Sequence, residues 1–219
     1  VNKSELKDKI IESSLYLFEK HGFHGVSVHQ IVEHSGTSKG GFYHYFQSKD
    51  ELLYVIHDYF ISYVLRNAEE VIATSDSPTV KLHRIIHSFV KVFDLYKPHI
   101  SVFYQESNYL KPQYVTIIKE KRNRYRKIIF EVLQAGMDEG EFRSELPVGI
   151  TAMSILGIVN WTYKWYRPNG ESTIEEIAAI YADIIFQSIW TEKAKRNLSY
   201  APYQLHTMNR NYVCSQQTD

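Results

Sequence analysis

The sequence predicts an all-α chain. Apolar residues recur at helical spacing almost everywhere, only 10 Gly and 6 Pro are spread through 219 residues, and no residue run demands a strand. The pattern resolves into about nine helices: three short ones, a longer one, a loop, and a bundle of five.

Ile10, Ile11, Ser14, Leu15, Leu17 and Phe18 form one face of a first helix over residues 4–21, closed by the breaker Gly22. Ser27 precedes Val28, Ile31 and Val32 as an N-cap, which gives a short helix over residues 28–34 ended by Gly36. Ser38 opens a third segment, residues 39–45. Ser48 caps a helix over residues 49–73 with the stripe Leu52, Leu53, Ile56, Phe60, Tyr63 and Val64. After the loop Thr74-Ser75-Asp76-Ser77-Pro78 come helices over residues 79–96 and 99–108, separated by Pro98. Pro112 opens a long helix to residue 139. Pro147 suits the first turn of one over residues 147–166. Ser172 caps the last, which runs to residue 196 with a broad Ile-rich face. Beyond residue 197 the chain is polar and Tyr-rich, without a clean period, and is expected to be loose or draped over the body.

Composition narrows the function. The 25 Lys+Arg balance the 25 Asp+Glu, which excludes a globally basic nucleic-acid coat or a polybasic anchor but leaves room for a local basic surface. One cysteine, Cys214, cannot form a disulfide framework within the chain, so a reducing compartment is the simplest reading. Residues 1–9 are charged and show no signal peptide, and the greasiest stretch, residues 150–166, carries Asn160 and Lys164 and is too short to span a membrane. A cytoplasmic protein without a membrane partner is expected. The three N-x-S/T matches at Asn2, Asn160 and Asn197 then read as chance.

Residues 28–34, the turn Ser35-Gly36-Thr37 and residues 38–45 make a helix-turn-helix pattern. The second helix is too short and too polar for a core element. Phe42 and Phe46 face the first helix, while Lys39, Gly40, Tyr43 and His44 face outward. That set offers one cation, small residues that let the backbone approach closely, and two rings with polar tips, the chemistry of a duplex groove.

The run Ile31-Val32-Glu33-His34-Ser35-Gly36-Thr37-Ser38-Lys39-Gly40-Gly41-Phe42-Tyr43-His44-Tyr45-Phe46-Gln47-Ser48-Lys49-Asp50-Glu51-Leu52-Leu53 resembles the DNA-binding signature of TetR-type bacterial repressors. Leu17-Phe18-Glu19-Lys20-His21-Gly22-Phe23 and Val26-Ser27-Val28 fit the same signature, and the match spans about residues 10–56. The resemblance implies an N-terminal three-helix DNA-binding domain (1–48), a helical ligand-binding and dimerisation domain (49–196) and a tail (197–219). By resemblance, Lys39, Gly40 and Gly41 meet base edges, with Ser38 at their start. Tyr43, His44 and Lys49 match positions that hold phosphates or bases, and Ser27, Val28 and His29 touch the backbone. Two residues depart from the family: Gly41 stands where Thr or Ala is usual and gives up a methyl that can read thymine, and Thr37 replaces Val and loses apolar contact in the turn. Residues 1–50 hold six Lys against six acids, so affinity must come from placement and the salt dependence is expected to be modest. Five histidines there, His21, His24, His29, His34 and His44, add charge in acid.

Competing chemistry is thin. Gly36-Thr37-Ser38-Lys39-Gly40 matches G-x-S-x-G, but a nucleophile elbow needs a preceding strand and this one follows a helix; Ser38 reads as an N-cap. His83 and His87 lie at i, i+4 without a third ligand, so a surface or packed pair is favoured over a metal site. Cys214 reads as an inert thiol. No phosphate-cradling Gly loop, dinucleotide fingerprint, metal site or cofactor is expected.

The helix over 147–166 is apolar nearly all round, and the last helix is as broad. A helix apolar on every side needs neighbours on every side. Pairing these two helices with their copies in a second subunit, Gly157 permitting close approach, answers this; a single thick core is the alternative. TetR-type proteins dimerise in this way. A two-fold pair of recognition helices would then meet half-sites about one turn apart, ~34–36 Å. Aromatic residues crowd the body. A cavity lined by Phe89, Phe93, Tyr96, Phe103, Tyr104, Tyr125, Met153, Leu156 and Trp161 suits an apolar ligand with a polar end. Asn160 is either a satisfied core amide or a polar anchor there. Lys119, Lys121, Arg122, Arg124, Arg126 and Lys127 form either a solvated face or a cationic mouth for a carboxylate or coenzyme A phosphate, with Arg122 assigned to the ligand. The run from Asn160 to Gly170 is loosely similar to a segment of acyl-CoA- or lipid-sensing family members.

The resulting expectation is a non-enzymatic repressor on a palindromic double-stranded operator, dimeric, and released by a small apolar effector that tilts the helix over 49–73. A multidrug sensor, and a ligand carrier or enzyme with a vestigial DNA head, are the alternatives.

Overall fold

The computed structural model describes residues 3–205. Among these residues the chain is all-α, with eleven helices: α1 Lys3–His21, α2 Val28–His34, α3 Lys39–Tyr45, α4 Lys49–Ile72, α5 Pro78–Leu95, α6 Lys97–Glu106, α7 Pro112–Asp138, α8 Val148–Asn160, α9 Thr162–Trp165, α10 Ile174–Ile189 and α11 Glu192–Lys195. Two 3-10 segments, Ser107–Tyr109 and Leu198–Tyr203, complete it. The chain forms two compact units, Val1–Tyr63 with Tyr96–Arg122, and Val64–Leu95 with Asn123–Asp219. Residue 48, the boundary expected from sequence, falls inside the first of them.

In the first unit Ile10, Leu15 and Phe18 of α1, Ile31 and Val32 of α2, Phe42 of α3, Phe46 after it, and Leu52, Leu53 and Ile56 of α4 share one core with Val102 of α6. Helix α6 enters because α1 packs on it, a partnership across about 80 residues that helical periodicity cannot reveal. Ser27 and Gln30 form a reciprocal capping box at α2, and Ser38 caps α3. Gly22 (φ 69°) and Gly36 (φ 63°) close α1 and the turn after α2 in the left-handed region.

In the second unit α5 and α10 pack along their length, Leu82, Ile85, Phe89, Val90 and Phe93 belonging to one and Ile177, Ala178, Ala182, Ile185, Phe186 and Ile189 to the other. The helix expected over 147–166 is two helices. Pro147 is the N-cap of α8, and the path changes at Trp161. Thr162 and Tyr166 turn inward instead: Thr162 bonds the Tyr181 hydroxyl at 3.2 Å, and Tyr166 donates to Asp94 at 2.8 Å. The last long helix starts at Thr173 in a capping box with Glu176, one residue beyond the expected Ser172. It also stops at Ile189, short of residue 196. Trp190 is extended and bridges Phe142, its flanks joined by Arg143 N to Ile189 O (2.8 Å) and Thr191 N to Glu141 O (2.9 Å). Its buried indole donates to Thr79 Oγ1 at 3.0 Å, and Thr191 caps α11. The start of the tail is draped: Tyr200 stacks on Trp190 at 5.8 Å, and Leu205 N donates to Asp183 at 3.1 Å. Cys214 and Asn2 lie outside the described residues.

Candidate functional site

The turn between α2 and α3 is held by its own polar groups. Thr37 N donates to Val32 O at 2.9 Å, and the Ser35 and Thr37 hydroxyls meet at 2.9 Å while Ser35 Oγ donates to Ile31 O at 2.7 Å. The hydroxyl of Thr37 thus has a partner, which offsets the apolar contact that the sequence reading expected it to lose. On α3, Phe42 is fully buried and Phe46 nearly so, whereas Lys39, Gly40, Tyr43 and His44 are exposed, Tyr43 to 53%. Gly41 is half-buried, and a Cβ there would reach Leu6 Cδ2 of α1 at 3.6 Å. Gly41 therefore lies toward the α1 seam and Gly40 toward the open side. On α2, Ser27 and His29 are exposed and Val28 half-buried. The hydroxyls of Ser27 and Ser38 already serve as caps, accepting from Gln30 N at 3.3 Å and Gly41 N at 3.0 Å.

Lys49 differs from the rest. Its ammonium donates to Phe23 O at 2.7 Å and Val26 O at 2.5 Å and sits 4.3 Å from the Phe23 ring centroid. Burial pushes its pKa down, opposed by the neighbouring Asp50 carboxylate. Lys49, matched by resemblance to positions that hold phosphates or bases, here ties the start of α4 to the loop between α1 and α2. Spacing alone places Lys49 at the helix start and says nothing of the carbonyls waiting there.

The residues assigned to a ligand fall in both units. Phe89, Phe93 and Tyr125 meet in the second unit, Phe89 stacking on Phe93 at 5.8 Å and meeting Tyr125 edge-on at 5.4 Å. Tyr125 Oη is buried with no hydrogen-bond partner among the described residues, and burial pushes the phenol pKa up. Tyr96, Phe103, Tyr104 and Arg122 belong to the first unit. There Phe103 packs on Phe60 (4.8 Å) and Tyr104 (5.3 Å), and the Arg122 guanidinium lies 5.7 Å from its centroid. Met153 and Trp161, expected to line a cavity, are 53% and 61% exposed, while Leu156 and Asn160 are half-buried. A helix apolar all round gives no phase from which to tell an inward residue from an outward one.

Sequence reasoning missed His57. It is buried, its Nδ1 lies 2.8 Å from Leu53 O, its Nε2 has no hydrogen-bond partner among the described residues, and its ring packs on Phe103 at 4.9 Å. Desolvation holds its pKa down at about 4. Its spacing, four after Leu53 and three before Phe60, placed it on the apolar stripe of α4. Half of the basic run on α7 is paired with acids: Lys121 with Asp58 (2.5 Å), beside Ser62 (2.8 Å), Arg124 with Glu69 (3.4 Å), and Lys127 with Glu131 (3.6 Å). His83 and His87 stack at 4.5 Å, and His83 packs on Tyr203 at 4.3 Å; no cluster of three metal-ligating side chains occurs among the described residues. Among those residues no helix is long and apolar enough to cross a membrane.

Comparison with known proteins agrees with this geometry. The family described as bacterial regulatory proteins, tetR family, matches residues 10–55, and the tetracyclin repressor-like C-terminal domain matches residues 75–189. The HTH-type transcriptional repressor KstR2 of Rhodococcus jostii is 24% identical over 189 residues, covering 85% of this chain and 92% of that protein. Among solved structures, the TetR family regulator PfmR of Thermus thermophilus superposes with a TM-score of 0.75 at 29% identity, over 81% of this chain and 97% of that one. AibR, solved in complex with isovaleryl coenzyme A and operator DNA, superposes with a TM-score of 0.71 at 23% identity, over 83% and 98%, and shares the fold. The helix-turn-helix, the helical bundle that follows it in the chain and these matches over both parts place the chain in the TetR family of helix-turn-helix transcriptional repressors.

Proposed function

We propose that this chain is a cytoplasmic, dimeric, ligand-responsive repressor, not an enzyme, that occupies a palindromic operator and leaves it when a small, mainly apolar effector binds. The observation that carries the reading is the outward face of α3, where Lys39, Gly40, Tyr43 and His44 stand exposed on a helix fixed from behind by Phe42 and Phe46. His29, Val28, Gly41 and the caps Ser27 and Ser38 complete the surface offered to the duplex, with Tyr43 and His44 reaching base edges or phosphates. For the effector we favour an acyl thioester of coenzyme A or a fatty-acid-like molecule. Phe89, Phe93 and the buried hydroxyl of Tyr125, which has no hydrogen-bond partner among the described residues, supply an apolar wall with one polar atom, which suits an amphiphile. AibR was solved with isovaleryl coenzyme A, an acyl thioester, which supports the same class. Induction requires the effector to bind the DNA-free form more tightly than the DNA-bound form.

A duplex selected from a random-sequence library provides the probe. The wild type should enrich a palindrome, and Tyr43→Ala and Lys39→Ala should each weaken binding about tenfold, each lost contact being worth ~1–3 kcal/mol. Adding isovaleryl coenzyme A, palmitoyl coenzyme A or palmitate should release the duplex, and Tyr125→Phe should shift that release without altering duplex affinity. If no duplex is enriched, or the Tyr43→Ala and Lys39→Ala variants bind it as well as the wild type, the reading fails.

A further inference from the structure

On α4, His57 stands on the apolar stripe between Leu53 and Phe60, where a leucine would pack without a polar atom to satisfy. Its ring is buried against Phe103 at 4.9 Å, and Phe60 meets the same Phe103 edge-on at 4.8 Å. These residues belong to the first unit, whereas Phe89, Phe93 and Tyr125 belong to the second. The two ring nitrogens of His57 have different surroundings. Nδ1 lies 2.8 Å from Leu53 O, and a carbonyl oxygen only accepts, so Nδ1 carries the proton. Desolvation keeps the ring neutral at ordinary pH, with its pKa at about 4. A neutral imidazole has a single N–H, so Nε2 is a bare lone pair. The Phe103 backbone favours a protonated ring, as an acceptor does, yet makes no hydrogen bond to Nε2. Among the described residues no donor reaches that nitrogen. A buried acceptor left unmade is a cost to the fold that the packing around it does not offset.

We infer that Nε2 of His57 is a ligand-reading acceptor, and that the effector meets it with a hydroxyl. The inference rests on the ligand-responsive part of the function proposed above and names the group that the ligand must carry. Hydrogen-bond polarity decides it. A carboxylate, ester, ketone or ether offers only lone pairs, and one lone pair facing another in a buried place leaves both unmade. A hydroxyl supplies the missing proton. The body of such a molecule is apolar, because Phe60 and Phe103 wall the ring. Its anionic end has a partner in the same group of residues. The Arg122 guanidinium lies 5.7 Å from the Phe103 centroid, is exposed, and makes no ion pair among the described residues. The ligand is therefore a hydroxylated acid of the fatty type, its carboxylate on Arg122 and its hydroxyl on His57.

Decanoate, β-hydroxydecanoate, ω-hydroxydecanoate and the methyl ethers of both hydroxy acids make the probe set. The ethers keep the oxygen and lose only the donor. In calorimetric titrations of the full chain without DNA, one hydroxy acid should bind at least about tenfold tighter than its methyl ether and than decanoate. His57→Leu removes the lone pair and keeps apolar bulk, and should bring that hydroxy acid and decanoate within about twofold of each other. Arg122→Gln should weaken every acid and leave the preference for the hydroxyl intact. NMR of labelled histidine in the wild type serves even if His57→Leu does not fold. The Nε2 resonance of His57 should be that of an unprotonated nitrogen, and should shift on adding the hydroxy acid but not its ether. Equal binding of hydroxy acid and ether means that solvent serves Nε2, and overturns the inference while the repressor reading stands. A preference that survives His57→Leu, an Nε2 that carries the proton, or no probe bound at all does the same. A hydroxy acid bound with the expected preference that leaves the selected duplex in place upholds the inference and overturns the induction part of that reading.

Discussion

Replacing Gly40 by alanine separates the demands of the fold from those of the duplex. Gly40 is the second residue of the seven-residue helix α3, and its φ is not in the left-handed region. A Cβ there would have Ser38 Oγ as its nearest neighbour at 3.7 Å, an ordinary contact. Nothing within the chain therefore asks for glycine, while helix formation disfavours it by about 0.5–1 kcal/mol relative to alanine. For a chain of 219 residues, a gain of 1 kcal/mol moves the thermal midpoint by about 2–4 °C. Gly40→Ala should thus melt about 1–4 °C higher than the wild type. Binding should move the other way. Gly40 shares the exposed side of α3 with Tyr43 and His44, and a methyl there would hold the backbone off the base edges and loosen the flanking contacts, a loss of about tenfold in operator affinity. Scanning calorimetry and fluorescence anisotropy on the selected duplex measure the two effects. A variant that is stabilised and binds as tightly as the wild type would refute the argument that α3 presents its backbone to DNA. Gly41→Ala is the internal control: its Cβ lies toward Leu6 and Ser38, so it should stabilise the head with a smaller change in affinity.

Three further outcomes follow from single groups. His57 takes up a proton in the folded chain only at about pH 4, against 6.5 when unfolded, so between those values the unfolded chain binds more protons and stability falls as pH drops. The full effect is at most about 3 kcal/mol. His57→Gln should flatten the decline in urea midpoint between pH 7 and pH 4.5 without abolishing it, because burial lowers His83 and His99 in the same direction. Lys49→Met removes the donor to Phe23 O and Val26 O, leaving two carbonyls without that partner, and should destabilise the head by about 1–3 kcal/mol in denaturant melts. Because the ammonium is engaged within the chain, the slope of operator affinity against salt should change by less than the single contact that Lys39→Ala removes. Gly136→Ala would drive a methyl into the Phe142 ring, which is itself fully buried, and should cost several kcal/mol or prevent folding, read as loss of the cooperative transition.

Periodicity was enough for the helix-turn-helix because its parts are local. Ser27 and Ser38 cap within three residues, Gly36 turns the chain in one, and Phe42 and Phe46 are four apart on one face. Each of these features is a rule about neighbours in sequence, and each held. What sequence could not show was the far partner. α6 joins the core of α1 and α4 through Val102, and Trp190 breaks the last helix because Phe142 and Thr79 offer it a bridge and a hydrogen bond from 48 and 111 residues away. The charged residues behaved alike. Lys49 was matched by resemblance to phosphates or bases, and Lys121 read as part of either a solvated face or a cationic mouth; carbonyls of residues 23 and 26, and the carboxylate of residue 58, engage them within the chain.

The outward residues of α8 follow from the same physics with a different consequence. Over Val148–Asn160 the helix is apolar on every side, so hydrophobicity marks every residue as buried and cannot say in what. Within one chain the helix sorts itself: Thr151, Ala152, Ile155 and Val159 turn inward, and Ile150, Met153 and Trp161 do not. Two explanations of the outer set predict different behaviour. If those residues were merely tolerated on a wet surface, truncating them would leave self-association unchanged and the salt and concentration dependence of operator binding untouched. If they are the second half of a core completed by another copy, truncation lowers operator affinity without touching α3, because a two-fold operator is read by both heads together and a monomer holds only one half-site. Trp161→Ala therefore distinguishes them by its distance from the DNA: an effect on operator binding from a residue with no duplex contact, reversed by raising the protein concentration, has no source other than assembly.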